Sequence, residues 1–306
     1  MKDQGLSFNQ YISVKDFHSV DCVIEKAAAF AADGQGKVIE PVTVNGYDGF
    51  GGVHDNLLWS PSSGMITYTL HNKIILESTK TRQQTVLTES EVRLSTLARS
   101  PNERMLAAAE GEASKLGNAV IYLYDIPQNK LLNKITFFRH GVQSMAFSNC
   151  GRFLIACSVP EENCLVVLDV NSGLVCEGGT SILRDESVNK IVVNPNNSAE
   201  NDIDFVTIGQ KGNFIIWKYD VEFQRILNIK PEMNQDLLNT DFTCACFTTR
   251  LPAPHESELI ILGTADGAIA AVNPTPNAQG KLDWLEHGKK EFILPEAISS
   301  IIYRHA

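Results

Sequence analysis

The sequence predicts an all-β chain: a β-propeller of repeated four-stranded antiparallel sheets set around a common axis. Three observations lead there. Short apolar segments are divided by turn residues along most of the chain, helical periodicity is scarce, and one strand–turn–strand pattern recurs in register. The first unit starts at Asn56 (NLLWSPSSGMITYTLHNKIILES), the second at Ser95, the third at Gln143, the fourth at Asn189 and the fifth at Cys244. A sixth begins at Ala297 with AISSIIYRHA.

Each unit opens with a strand ending near Ser-Pro or a similar turn. A strand of small residues follows, then a strongly apolar strand closed by an acidic or polar residue. Ser60, Ser100, Ser148 and Asn194 mark the first turn of successive units, at roughly the 40–45-residue spacing of four-stranded propeller blades, with some longer insertions. One small twisted sheet cannot bury both of its faces; stacking sheets around an axis buries each in turn. Continuous apolar runs such as Val120–Leu123, Leu165–Leu168 and Phe214–Trp217 suit a third strand covered on both sides. Gly212-Asn213 and Asp266-Gly267 are hairpin dipeptides just before such strands. The inner strands are expected near Asn56–Trp59, Leu94–Ala98, Ser144–Phe147, Lys190–Val193 and Thr243–Phe247. Residues 1–36 read as an N-terminal extension and 37–306 as the propeller. Within the extension, Val20–Ala32 reads as a short helix, capped by Ser19 or Asp21 and ended by Gly34.

These residues resemble the WD-repeat family. Its Trp-Asp dipeptide at the end of the third strand is degenerate here: Tyr124-Asp125, Leu168-Asp169, Trp217-Lys218 and Val272-Asn273. His140, Val142 and the run MAFSNCGRFLIACS resemble the family's His…Val…Phe-Ser…Gly core. The resemblance implies that His140 and Asp169 are structural and hydrogen-bond across their blade. A narrower resemblance, carried by GYDGFGGVHDNLLWSPSSGMITYTLHNKIILES from Gly46, LARSPNERMLAAAEG and DFTCACF…LIILGTADGAIAAVN, is to microtubule-associated WD-repeat proteins. These are the centriolar and cilia/flagella-associated members and the echinoderm-microtubule-associated-protein-like group. It implies that Lys37–Val44 (KVIEPVTV) closes the ring as an outer strand. Five readable blades and the start of a sixth imply an incomplete ring, with Ile298–Tyr303 pairing with Lys37–Val44 or marking where a longer chain continues or a second protein docks.

Composition narrows the function. The chain has 306 residues, 43% hydrophobic, enough for a substantial core, and a formal net charge of −10. Gripping nucleic acid needs a basic stripe, and neither His287, Lys289 and Lys290 nor the scattered Lys73, Lys80 and Arg82 supplies one. The N-terminus lacks an apolar leader, and no apolar run is long enough to cross a bilayer. Seven irregularly spaced cysteines read as buried free thiols in a reducing cytosol. The sequon Asn196-Asn-Ser198 is then idle.

No residue set reads as catalytic, cofactor-binding or metal-binding. Cys244-x-Cys246 places two sulfurs on one strand face, but with His255 the nearest histidine the spacing is not a zinc pattern. Cys157 and Cys164 bracket a blade turn and read as core. The glycine-rich Gly46–Gly52 lacks the Lys-Ser/Thr ending of a phosphate loop. Asp202 with Asp204, and Glu161 with Glu162, read as paired acids on solvated turns. Trp59 and Trp217 read as core, and Trp284 as a contact candidate. The residues lead to a non-catalytic, cytoplasmic interaction scaffold; the resemblance to microtubule-associated WD-repeat proteins implies a place at a cilium, centriole or other cytoskeleton, with tubulin or axonemal or centriolar proteins as partners. A WD-repeat adaptor or assembly factor, such as a substrate receptor for ubiquitin ligation, is the alternative. Nucleic acid, membrane, small-molecule substrate and cofactor are not expected.

Overall fold

The computed structural model describes residues 55–87, 89–113, 117–179, 188–197, 202–232, 237–248, 258–275, 291–292, 298 and 300. They form five four-stranded antiparallel sheets and contain no helix. Sheet I holds β1 (Leu57–Ser60), β2 (Met65–Leu70), β3 (Lys73–Ser78) and β4 (Gln84–Leu87). Sheet II holds β5 (Leu94–Arg99), β6 (Met105–Glu110), β7 (Ile121–Asp125) and β8 (Lys130–Ile135). Sheet III holds β9 (Val142–Phe147), β10 (Phe153–Ser158), β11 (Leu165–Asp169) and β12 (Leu174–Gly179). Sheet IV holds β13 (Val188–Val193), β14 (Asp202–Gly209), β15 (Phe214–Asp220) and β16 (Arg225–Ile229). Sheet V holds β17 (Phe242–Phe247), β18 (Ile260–Thr264), β19 (Ala268–Val272) and β20 (Glu291–Phe292). Each sheet is a simple meander, and the first strands adjoin their successors, β5 against β9 and β9 against β13. All five expected inner strands are present.

The recurrent turn residues have a local cause. Ser100 Oγ accepts from Met105 N at 2.9 Å, Ser148 Oγ from Phe153 N at 3.0 Å, and Thr248 Oγ1 from Leu259 N at 2.9 Å. Each hydroxyl satisfies a backbone donor that the ladder leaves free where first and second strands part. The acid that ends the third strand caps the next turn in the same way. Asp125 Oδ1 accepts from Gln128 N at 2.9 Å, Asp169 Oδ1 from Asn171 N at 2.9 Å, and Asp220 Oδ1 from Phe223 N at 3.0 Å. This corrects the fourth Trp-Asp equivalent from Trp217-Lys218 to Tyr219-Asp220: β15 is seven residues long where β7 and β11 have five, so its cap falls later. Gly212 and Gly267, with φ of 71° and 82°, turn the chain before β15 and β19 as the dipeptides predict.

The core consists of the seams between sheets. Ile74, Leu76 and Leu87 meet Leu97, Leu106 and Tyr122 between I and II. Ala107, Ile121 and Leu123 meet Met145, Leu154 and Val166 between II and III. Ile155 and Val167 meet Ile191, Phe205 and Trp217 between III and IV. Ile208 and Phe214 meet Phe247, Ile260 and Leu262 between IV and V. The alanines of β6 let sheets II and III approach closely, and at Gly141 an added Cβ would lie 2.2 Å from the Gly111 carbonyl oxygen.

Ile298 is buried against sheet V. Its N–H donates to Thr264 O at 3.0 Å, and its carbonyl accepts from Thr243 Oγ1 and from Cys244 Sγ. Ser95 Oγ makes the matching bond to Val142 O at 2.6 Å, so Ile298 stands on sheet V as the first residue of β9 stands on sheet II. The rest of Ile298–Tyr303 apart from Ser300, together with Lys37–Val44 and the helix Val20–Ala32, lies outside the described residues.

Candidate interaction surfaces

The first surface is at the axis. In four inner strands the register shifts by one residue, at Ser95, Gln143, Asn189 and Thr243. A bulge re-aims the side chains beside it. Ser95 thereby reaches Val142 O on the next sheet, and Ser144 Oγ on β9 accepts from Ile191 N at 3.1 Å. At the same end Lys190 Nζ lies 2.7 Å from Asp55 Oδ1, joining sheet IV to sheet I. A cleft of about 240 Å³ opens nearby, lined by Arg93, Ser95, Gly111 and Glu112. Its described lining carries charges of both signs, Arg93 and Glu112.

The second surface is the outward face of sheet I. Three residues before the turn-closing residue, Leu97, Met145, Ile191 and Ala245 are all buried on the preceding sheet. Leu57 holds the same place on β1 but is 55% exposed, and Trp59 beside it is 53% exposed. No described sheet precedes β1. The expectation that Trp59 is core is therefore corrected: side chains alternate along a strand, and on β1 it is Leu58 that packs into the seam with sheet II. Trp217 is fully buried, as expected. Trp284 is outside the described residues, as are His255, His287, Lys289, Lys290 and Gly46–Gly52.

Other expected positions sort as follows. Asp202 and Asp204 are in β14, not on a turn; the pair extends the strand, and Lys218 Nζ lies 2.7 Å from Asp202 Oδ2. Burial raises the Asp204 carboxyl above the ordinary aspartate value. Glu161 and Glu162 are on a turn, where Glu162 accepts from the backbone N–H groups of Arg139 and His140. His140 and Asp169 do not meet. The His140 ring is 3.9 Å from Glu162, whereas Asp169 pairs with Arg152 Nε at 2.9 Å. The strand register explains this: Asp169 pairs with Phe153 at one end of the sheet, and His140 precedes β9 at the other. Burial works to raise the Asp169 carboxyl, but donors from Ser172, Arg152 and Asn171 hold it below the ordinary value.

Sequence reading missed Glu110. It is buried and accepts from Ser90 Oγ at 2.7 Å, Tyr122 OH at 2.7 Å and Val120 N at 2.9 Å. An acid ending an otherwise apolar strand, MLAAAE, was the available signal.

Cys150, Cys157, Cys164, Cys176, Cys244 and Cys246 are free thiols, and Cys22 is outside the described residues. No group of three His, Cys, Asp or Glu among the described residues is placed to hold a metal ion. Burial pushes the Cys157 and Cys164 thiols up to about 12, which leaves almost no thiolate at neutral pH. In the native protein at about pH 8, iodoacetamide is expected to modify exposed Cys150 and spare Cys157 and Cys164, both becoming reactive on denaturation. Peptide mass spectrometry reads this; native modification of Cys157 would contradict the burial described.

No family model matches the chain. Cilia- and flagella-associated protein 52 of Chlamydomonas reinhardtii is 30% identical over 184 residues, covering 59% of this chain and 28% of the relative. Centriole proteome protein 16 of the same organism is 28% identical over 153 residues, covering 40% of this chain and 7% of the relative. The chain thus matches well under two thirds of either protein. A crystal structure of the RRP9 WD40 repeats superposes with a TM-score of 0.56 at 17% identity, covering 83% of this chain and 71% of that one. Among the described residues no helix is long and apolar enough to cross a membrane. The fold is that of WD40-repeat propeller blades, and in sequence the chain is similar to proteins of cilia, flagella and centrioles.

Proposed function

We propose that the chain is a non-catalytic protein-interaction scaffold and a structural component of ciliary or centriolar microtubules. The similarity to cilia- and flagella-associated protein 52 over 184 residues is the observation that carries this reading. The relatives in sequence, named for cilia, flagella and centrioles and not for a reaction, support the non-catalytic part. Many polar side chains of the described residues serve the fold: Ser100 and Ser148 close turns, Asp125 and Asp220 cap them, and Asp169 pairs with Arg152. Tubulin, axonemal and centriolar proteins are the partners this reading names.

The Leu57–Trp59 face is the contact it favours, because exposed tryptophans are enriched among residues that dominate binding. Trp59→Glu is expected to change unfolding stability by less than about 0.5 kcal/mol, as surface substitutions do. It is also expected to remove most of the chain's retention on axonemes isolated from ciliated cells, read by co-sedimentation. Equal retention of the wild type and the variant would eliminate this face as the contact, and absence of wild-type retention would count against the reading itself.

A further inference from the structure

We infer that Asp55 and Lys190 form an axial strap that fixes the position of sheet I relative to sheet IV. Five observations converge on it. The two residues are 135 apart in sequence, and sheets II and III lie between them in chain order, so the 2.7 Å contact spans the axis instead of following a seam. Both side chains are only about 30% exposed, so solvent screens the pair less than a surface pair. Asp55 has φ of 62°, a left-handed conformation that aspartate adopts more readily than most non-glycine residues and that sets the direction of its side chain. Its carbonyl accepts from Leu97 N at 3.0 Å while its carboxylate takes Lys190, so main chain and side chain are both fixed. Lys190 in turn follows the bulge at Asn189, which turns its side chain toward the axis.

The strap has two consequences. Hydrogen bonds between neighbouring inner strands, such as Ser95 to Val142, set only the step from one sheet to the next. Asp55–Lys190 adds a contact between sheets that are not neighbours, and so limits how far the array can open. Because Asp55 lies two residues before the start of β1, the strap holds the strand that carries Leu57 and Trp59. Lys190 is therefore a positioning residue for a face it does not touch. The inference is independent of who binds that face.

Hydrogen-exchange mass spectrometry on the whole chain tests it, comparing wild type, Asp55→Asn, Lys190→Met and the double variant. Asparagine tolerates the left-handed conformation, so Asp55→Asn removes charge without adding strain. Each single variant is expected to speed exchange in β1 and β13 by roughly three- to tenfold and to leave β10 and β11 unchanged. The double variant is expected to exchange no faster than either single one. Unchanged exchange in β1, or additive acceleration in the double variant, would overturn the strap. If Lys190→Met does not fold, Lys190→Gln, which removes the charge and keeps a polar end, replaces it: selective acceleration of β1 and β13 supports the strap, and its absence refutes it.

Discussion

Trp217→Ala is expected to lower the unfolding free energy by about 3–5 kcal/mol, the range for truncating a large aromatic in a packed core. Trp217 is fully buried between sheets III and IV and stacks on Phe205 with centroids 6.1 Å apart and planes 9° apart. Its indole N–H donates to Thr207 Oγ1 at 2.8 Å, and that threonine is itself fully buried. Alanine would remove the ring from the seam and leave the threonine hydroxyl without its donor. A single domain is stable by only about 5–15 kcal/mol, so the loss is a large fraction of the total. Trp217→Phe keeps a ring against Phe205 and loses chiefly the hydrogen bond, so about 1–2 kcal/mol is expected. Denaturant unfolding followed by far-UV circular dichroism measures both. A loss below about 1 kcal/mol for the alanine variant would mean that this seam is not packed as described.

The second large effect is expected at Glu110. Its carboxylate gathers three donors, the hydroxyls of Ser90 and Tyr122 and the N–H of Val120, where water does not reach. Burial, and after it Glu110 itself, raises the Tyr122 phenol above its ordinary value, which keeps that hydroxyl a donor. Glu110→Ala would leave the Val120 N–H and the Tyr122 hydroxyl without this acceptor, while Ser90 Oγ keeps Val92 O at 2.8 Å, at a cost of about 2–5 kcal/mol. Glu110→Gln keeps one acceptor oxygen and is expected to lose less than half as much. The same unfolding experiment ranks the two variants. An alanine variant as stable as the glutamine one would show that the cluster does not hold β6 to β7.

The contrast between Trp59 and Trp217 shows what the sequence conveys. Both sit on strands with apolar neighbours, and a period of two places alternate residues on opposite faces without saying whether a second sheet covers each face. Trp217 lies between two sheets, and Trp59 faces outward from the first. The repeat itself was legible because its landmarks perform a backbone task. Ser100 and Ser148 supply the oxygen that their hairpins need, and that task depends on local geometry alone. The third-strand acid was legible for the same reason, but its position in sheet IV was not, because the longer β15 moves the cap from Lys218 to Asp220. Asp55–Lys190 and the Glu110 cluster stayed hidden. Each joins residues from different strands or sheets, and no local pattern in one sequence records which of them meet. The inward aim of Lys190 depends on a bulge that the apolar alternation does not announce.

The most direct test of the central claim is the location of the full chain in a ciliated cell, with a small tag and a fluorescent readout against axonemal and centriolar markers. A scaffold of ciliary or centriolar microtubules predicts signal along the axoneme or at its base that survives detergent extraction of the membrane and soluble pool, as a stably bound structural protein does. Signal that is diffuse and fully extracted, or concentrated at another organelle, would contradict the claim and favour an adaptor or assembly factor built on the same blades.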